Sequence, residues 1–166
     1  YGLDISDESL KLGRMMFNEW GGAAQLRVGN ILKMPYPDQM YDVVADVFSS
    51  YCFSYELFRE RFIPEVNRVL RLGGLFFSYI PSVNSDAFIK HMPATKIDAY
   101  TLDGIRRIDS PFCGNLYPFR FTDIDDYSVR LKAANFEITY AETVTRTYNS
   151  RSENFQHLVI VGRKIG

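Results

Sequence analysis

Short apolar runs that each stop at an acid, a glycine or a proline, and then give way to a helical pattern, leave this chain few folds to adopt. Tyr1–Ile5 reads as the end of a strand, and Ser6-Asp7-Glu8 supplies an N-cap with acids in the first turn, so a helix is predicted over Asp7–Trp20. Its apolar residues Leu10, Leu12, Met15, Met16 and Trp20 recur with helical rather than alternating spacing, and Gly21-Gly22 stops it. Gln25–Val28 is a short strand ending at Gly29, Pro35-Tyr36-Pro37-Asp38 a turn, and Tyr41–Phe48 a valine-rich buried strand. The next helix is read over Phe58–Leu72 with Gly73-Gly74 as its stop, followed by an apolar strand Leu75–Ile80 closed by Pro81. Ser82 to Phe119 is irregular and aromatic. Thr122-Asp123 then caps a helix through Ala134, and the runs Phe136–Thr147 and Asn154–Lys164 read as an antiparallel pair. The pattern predicts an α/β, Rossmann-like fold: a mostly parallel central sheet flanked by helices, with an antiparallel C-terminal hairpin.

The chain has 166 residues, 46% of them hydrophobic, which is enough for a single domain over 1–166 to build a core without disulfide staples. Nineteen basic against twenty acidic residues give a net charge of −1, so no cationic excess exists to neutralise a run of phosphates and nucleic-acid binding is disfavoured. Apolar runs such as Leu75-Phe76-Phe77 are far shorter than the roughly 18 residues of a membrane span. Cys52 and Cys113 form no metal-binding or disulfide framework by spacing. A cytoplasmic protein without membrane or metal partners is expected.

In open α/β sheets, ligands bind beyond the carboxyl ends of the strands. The predicted ends here are Asp4, Gly29-Asn30-Ile31, Asp46–Ser50 and Tyr79–Ser82. A carboxylate at Asp4 suits a ribose diol, and equally suits capping of the next helix. The Asn30 amide suits an adenine edge, and equally a turn.

In order and spacing, these segments resemble one family. Tyr1-Gly-Leu-Asp4-Ile-Ser6, Val28-Gly29-Asn30-Ile-Leu-Lys-Met34-Pro35-Tyr-Pro-Asp38, Tyr41-Asp42-Val-Val44 and Glu65-Val-Asn-Arg68-Val-Leu-Arg-Leu-Gly73-Gly74 are similar to successive motifs of class I S-adenosylmethionine-dependent methyltransferases. Phe121-Thr122-Asp123 through Ala134-Asn135-Phe136-Glu137 resembles that family's late helix and strand entry. The resemblance implies methyl transfer from S-adenosylmethionine to a small-molecule acceptor, with S-adenosylhomocysteine as product. It assigns Asp4 to the cofactor ribose, Ile5 to packing beside the adenine, and Asn30 and the Ile31 backbone to the adenine edge. Asp46, Val47 and Phe48 would line the methionine end. Asn30 departs from the pattern, which usually has Asp there, and Tyr51-Cys52 stands where many relatives carry two histidines.

The family's first strand and its glycine-rich loop have no counterpart before Asp4, so the domain is expected to be N-terminally truncated relative to the family. Residues 82–120 are expected to form its substrate lid. Candidates for the acceptor side are Tyr51, as a positioning group, and His91, as a base for a hydroxyl or ammonium acceptor. His157 is better explained by sheet packing. The lid aromatics Phe88, Tyr100, Phe112, Tyr117 and Phe119, with Arg106, Arg107 and Arg120, fit either a planar acceptor or a second core beneath a long loop. A non-catalytic partner subunit and a nicotinamide-dependent oxidoreductase are the competing functions, and oligomerisation is open.

Overall fold

The computed structural model describes residues 1–166. Strand β1 (Gly2–Asp4) leads into helix α1 (Asp7–Glu19), where Ser6 is the N-cap and its hydroxyl accepts the Ser9 N–H at 3.2 Å. The chain returns as β2 (Leu26–Val28), which pairs in parallel with β1 from Gly2↔Leu26 to Asp4↔Val28. Strand β3 (Tyr41–Val47) follows, then a turn of 3₁₀ helix at Ser50–Cys52.

The second predicted helix starts earlier and ends sooner than its apolar spacing suggests. It is built of α2 (Tyr55–Leu57), a π-helical turn Phe58–Phe62, and α3 (Ile63–Val69). Its start is capped by Ser54, which accepts the Leu57 N–H. Leu70 is already extended (ψ 137°), and strand β4 runs from Leu70 to Pro81. Gly73 and Gly74 therefore lie within a strand, not at a helix end. Gly73 takes φ +75°, and a Cβ on Gly74 would come within 2.9 Å of the Arg71 carbonyl.

Within 82–120 only α4 (Asp86–Ile89) and a short antiparallel pair, β5 (Thr101–Leu102) with β6 (Phe119–Arg120), are regular. Helix α5 (Ile124–Ala133) is capped by Asp123, whose carboxylate accepts the Asp125 and Asp126 N–H groups. The hairpin is β7 (Phe136–Tyr148) with β8 (Glu153–Lys164). The main sheet has the order β3-β4-β8-β7, with β3 and β4 parallel and the remaining neighbours antiparallel.

Helices α3 and α5 lie on one face of that sheet. Phe62, Ile63 and Val66 meet Tyr127 and Leu131 over Phe76, Ile80, Leu158 and Ile160 to form the main core. The opposite face carries Val43, Phe77, Val159 and Val161, and Val43 is 54% exposed. A second core under the 82–120 segment joins Phe88, Leu102, Phe119, Phe121 and Phe155. Phe88 and Phe119 are thus packing groups, and Arg120, interspersed among the lid aromatics in the sequence, is fully buried.

Strands β1 and β2 form a sheet of their own. The β1–α1–β2 unit is tied to the rest by Arg68 on α3, whose guanidinium donates to the Met34 and Tyr36 carbonyls, to Asp38 and to Glu65, all within 3.0 Å. Glu65 in turn accepts the Met34 N–H at 2.7 Å. The Arg-Val-Leu segment noted in the sequence thus acts as a staple across the chain.

Candidate cofactor site

Strands β1 and β3 bound a cavity of about 650 Å³. Its walls are Tyr1, with Gly2 and Leu3 of β1, and Tyr41–Asp46 of β3, and Ile31, Met34 and Phe62 contribute apolar surface. Both bounding strands pair on one side only, β1 with β2 and β3 with β4. The backbone edges that face this cavity are therefore unpaired, which is a liability in a strand that can bind other chains.

Asp4 closes β1, one residue beyond Leu3 of the cavity wall. Its Oδ1 accepts the Ser6 N–H at 2.8 Å, and Oδ2 makes no hydrogen bond within the chain. Asp4 therefore serves the helix start with one oxygen while the other is free for a ligand hydroxyl. Ile5 beside it is 76% exposed, an apolar side chain available to pack on a ring. The carbonyl oxygen of the Asn30 side chain accepts the Leu32 N–H at 2.8 Å, which fixes a turn and leaves its NH₂ as a donor. Ile31 is half-buried and reaches both the cavity and the main core.

The loop after β3 is organised from inside. Asp46 is 2% exposed; its Oδ1 accepts the Ser49 and Ser50 N–H groups and its Oδ2 the Ser50 hydroxyl at 2.5 Å. Burial pushes the Asp46 carboxyl up, while the Ser50 and Ser49 hydrogen bonds and the Arg120 charge act against that rise. The Ser50 hydroxyl also accepts from Arg120 Nη2 at 2.9 Å, and Nη2 donates to the Ser50 carbonyl. Arg120 Nη1 donates to Thr122, and its guanidinium lies 3.6 Å from the centre of the Phe58 ring. Arg120 Nε has no partner. Desolvation pulls the Arg120 pKa down to about 10. The chain Arg120–Ser50–Asp46 thus locks the β3 loop to β6. Nothing in the charge pattern announces it, but Arg120 stands between Phe119 and Phe121 in an apolar run, which was the available signal.

Beyond Asp46, Val47 is exposed and Phe48 turns left-handed at φ +54°. That turn aims the Phe48 ring at Tyr51, Tyr79 and His157, with centroids 6.1, 5.3 and 5.1 Å away. Tyr51 lies 4.6 Å from Phe119, and burial together with a hydrogen bond to Tyr117 pushes its hydroxyl up to about 12. His157 is 2% exposed, stacked on Tyr79 at 4.9 Å, and its Nδ1 has no partner. His91 lies elsewhere: its Nδ1 meets the Ala94 carbonyl at 2.9 Å, and it lines a separate groove with Arg106 and Arg107. Of the residues singled out in the sequence, Ile31 and Asp46 line the cavity, Asp4 ends β1 and Phe48 and Tyr51 follow β3 outside its lining, and His91 lines a different groove. No group of three or more His, Cys, Asp or Glu side chains is arranged to hold a metal ion, and no helix is long and apolar enough to cross a membrane.

Residues 1–78 match the model of a methyltransferase domain family. Over 75 residues the chain is 39% identical to a phthiotriol/phenolphthiotriol dimycocerosates methyltransferase of Mycobacterium tuberculosis, a match covering 45% of this chain and 26% of that protein. It is 34% identical over 71 residues to a ubiquinone/menaquinone biosynthesis C-methyltransferase of Bordetella avium, covering 43% and 27%. The matched region thus spans about a quarter of the length of these curated relatives. In three dimensions the whole chain superposes on an S-adenosylmethionine-dependent methyltransferase from Methanosarcina mazei with a TM-score of 0.79 at 20% identity, covering 99% of this chain and 81% of that one. A 1,6-didemethyltoxoflavin-N1-methyltransferase of Burkholderia thailandensis, solved with 1,6-didemethyltoxoflavin and S-adenosylhomocysteine bound, matches with a TM-score of 0.65 at 14% identity, covering 99% and 60%. The first 78 residues thus match a methyltransferase domain family, and the chain over its length has the fold of S-adenosylmethionine-dependent methyltransferases.

Proposed function

We propose that the chain is part of an enzyme that transfers a methyl group from S-adenosylmethionine to a small-molecule acceptor. The observation that carries this reading is the free Asp4 oxygen at the end of β1, beside the exposed Ile5 and the Asn30 turn. A ribose diol, an adenine ring and an adenine edge find one partner each there. Because β1 and β3 present unpaired edges to one cavity, the reading includes a further parallel strand, from polypeptide outside residues 1–166, seated between them. That strand would complete the cofactor site, and its flanking helices would cover Val43, Phe77, Val159 and Val161.

When bound, the cofactor supplies an electrophilic methyl group, so the protein's task is alignment. Asp4 binds, Ile5 and Ile31 exclude water from the adenine side, and the Phe48–Tyr51 turn shapes the wall at the methionine end. Asp46 contributes by holding that turn, and Val47 by lining it. In this proposal Tyr51 positions the acceptor, and His91 takes the proton of a hydroxyl or ammonium acceptor when the 82–120 lid brings it over the site. Removing such a base costs roughly 10²–10⁴ in rate. Turnover in His91→Ala undiminished with a hydroxyl acceptor would remove His91 from the mechanism.

Titration calorimetry with S-adenosylhomocysteine, with NADH as control, tests the reading. Saturable binding of the former alone is expected once the additional strand is present. Asp4→Asn is expected to weaken it by roughly 10- to 100-fold, the value of a hydrogen bond to a charged acceptor. Equal affinity for NADH, or an unaltered Asp4→Asn variant, would overturn it. Binding without turnover across acceptors would instead identify a non-catalytic partner subunit.

A further inference from the structure

Strand β7 is thirteen residues long, closes the outer edge of the main sheet, and is exposed from Thr139 to Thr143 and from Thr145 to Thr147. Which of its backbone groups are unpaired follows from β8. The Gln156 carbonyl accepts from Ser82 N on the β4 side, and its N–H donates to the Ser85 hydroxyl there. By alternation, Phe155, His157 and Val159 turn their N–H and C=O groups toward β7. Their partners Arg146, Val144 and Glu142 use their backbone groups on β8. Ala141, Thr143, Thr145 and Thr147 therefore direct theirs outward, into solvent.

We infer that this edge pairs with the same edge of a second copy of the chain, antiparallel, about a two-fold axis through Val144. With that axis Thr143 lies opposite the second copy's Thr145, and Ala141 opposite its Thr147. All of these are outward-facing residues, so each pair exchanges both of its hydrogen bonds. The same register sets Glu142 against the other copy's Arg146, twice over, as non-hydrogen-bonded pairs in which side chains are closest. Neither residue has an ion-pair partner within its own chain: Glu142 accepts only from the Tyr140 hydroxyl, and Arg146 appears in no salt bridge. Tyr140 falls opposite Tyr148. Slipping the register by one residue, which puts the axis midway between two residues, would set outward-facing groups against inward-facing ones. Moving the axis along to Thr143 or Thr145 separates Glu142 from Arg146. Charge and hydrogen bonding thus select one register. The bulge between Ile138 and Tyr140 bounds the paired stretch on one side, and the Asn149–Ser152 turn on the other.

Sedimentation equilibrium tests this on the protein at micromolar concentration, with far-UV circular dichroism to confirm folding. A dimer is expected that weakens with salt. Glu142→Arg or Arg146→Glu, which places like charges opposite each other, is expected to weaken it by tenfold or more, and the double reversal to restore it. In a Cys52→Ser/Cys113→Ser background, Val144→Cys should cross-link to itself under mild oxidation, because a non-hydrogen-bonded pair brings the two Cα atoms to about 4.5 Å. Thr139→Cys should not. A monomer at all concentrations, a dimer indifferent to the single reversals, or cross-linking at Thr139 in place of Val144 would each overturn the proposal.

Discussion

Arg120→Met is expected to lower the unfolding free energy by about 3 kcal/mol, the scale on which a buried charge loses its compensation. The methionine fills much of the same volume over Phe58, so packing loss is small. What disappears is the donor pair on Ser50 and the positive charge facing Asp46, whose carboxylate stays 2% exposed. Asp46→Asn alone leaves the guanidinium buried with an unpartnered Nε and is expected to destabilise as well. The double variant should be markedly less unstable than the sum of the two singles, because each side of the network mainly offsets the other's burial. Urea unfolding of the four proteins measures this directly. Strict additivity would mean that Ser50 insulates the two charges and that the loop after β3 is held by packing alone.

His157 is expected to make the fold acid-sensitive. Its burial, with the Arg146 charge as a smaller contribution, pulls the imidazole pKa down to about 4 from an ordinary value near 6.5, against the effect of a hydrogen bond to the Val144 backbone. The unfolded chain therefore takes up a proton at higher pH than the folded one. The stability from neutral His157 is complete above about pH 6.5 and is lost as pH falls through 4, to a total of about 3 kcal/mol. Asp46 and Glu153 have raised carboxyl pKa values and shift stability in the opposite sense, so the informative quantity is the difference from His157→Phe. That difference should slope between pH 6.5 and 4 and flatten outside this window. A constant difference would show that His157 is protonated within the aromatic cluster.

Local signals were legible in the chain where local chemistry decides the structure. Ser6 and Asp123 cap the helices their side chains suggest, because an N-cap bond reaches only two or three residues ahead. The hairpin was legible from two long extended runs around Asn149-Ser150-Arg151-Ser152, where three consecutive residues take positive φ. Gly73-Gly74 misled because glycine marks a helix stop and a tight strand approach equally well. Val69 closes the helix four residues earlier, as Leu70 enters the pairing with Tyr41. Around the candidate site, the places of Asp4 and Asp46 near the ends of β1 and β3 could be read from order along the chain. The burial of Arg120 and the separation of His91 from the strand ends could not. Both depend on how 82–120 folds over β6, a segment with few regular elements to read.

The Arg68 staple has a consequence for motion. With β1 and β2 paired as strands only with each other, the first quarter of the chain can open as a unit without breaking a rung of the β3-β4-β8-β7 ladder. Amide protons of β1, α1 and β2 should exchange with deuterium through such sub-global openings, orders of magnitude faster than those of β4 and β8. Arg68→Leu should accelerate the first group and leave the second almost unchanged. Cofactor affinity would then be set partly by how often the ribose-binding acid is docked beside its partners, a population that bound ligand or an added strand would raise.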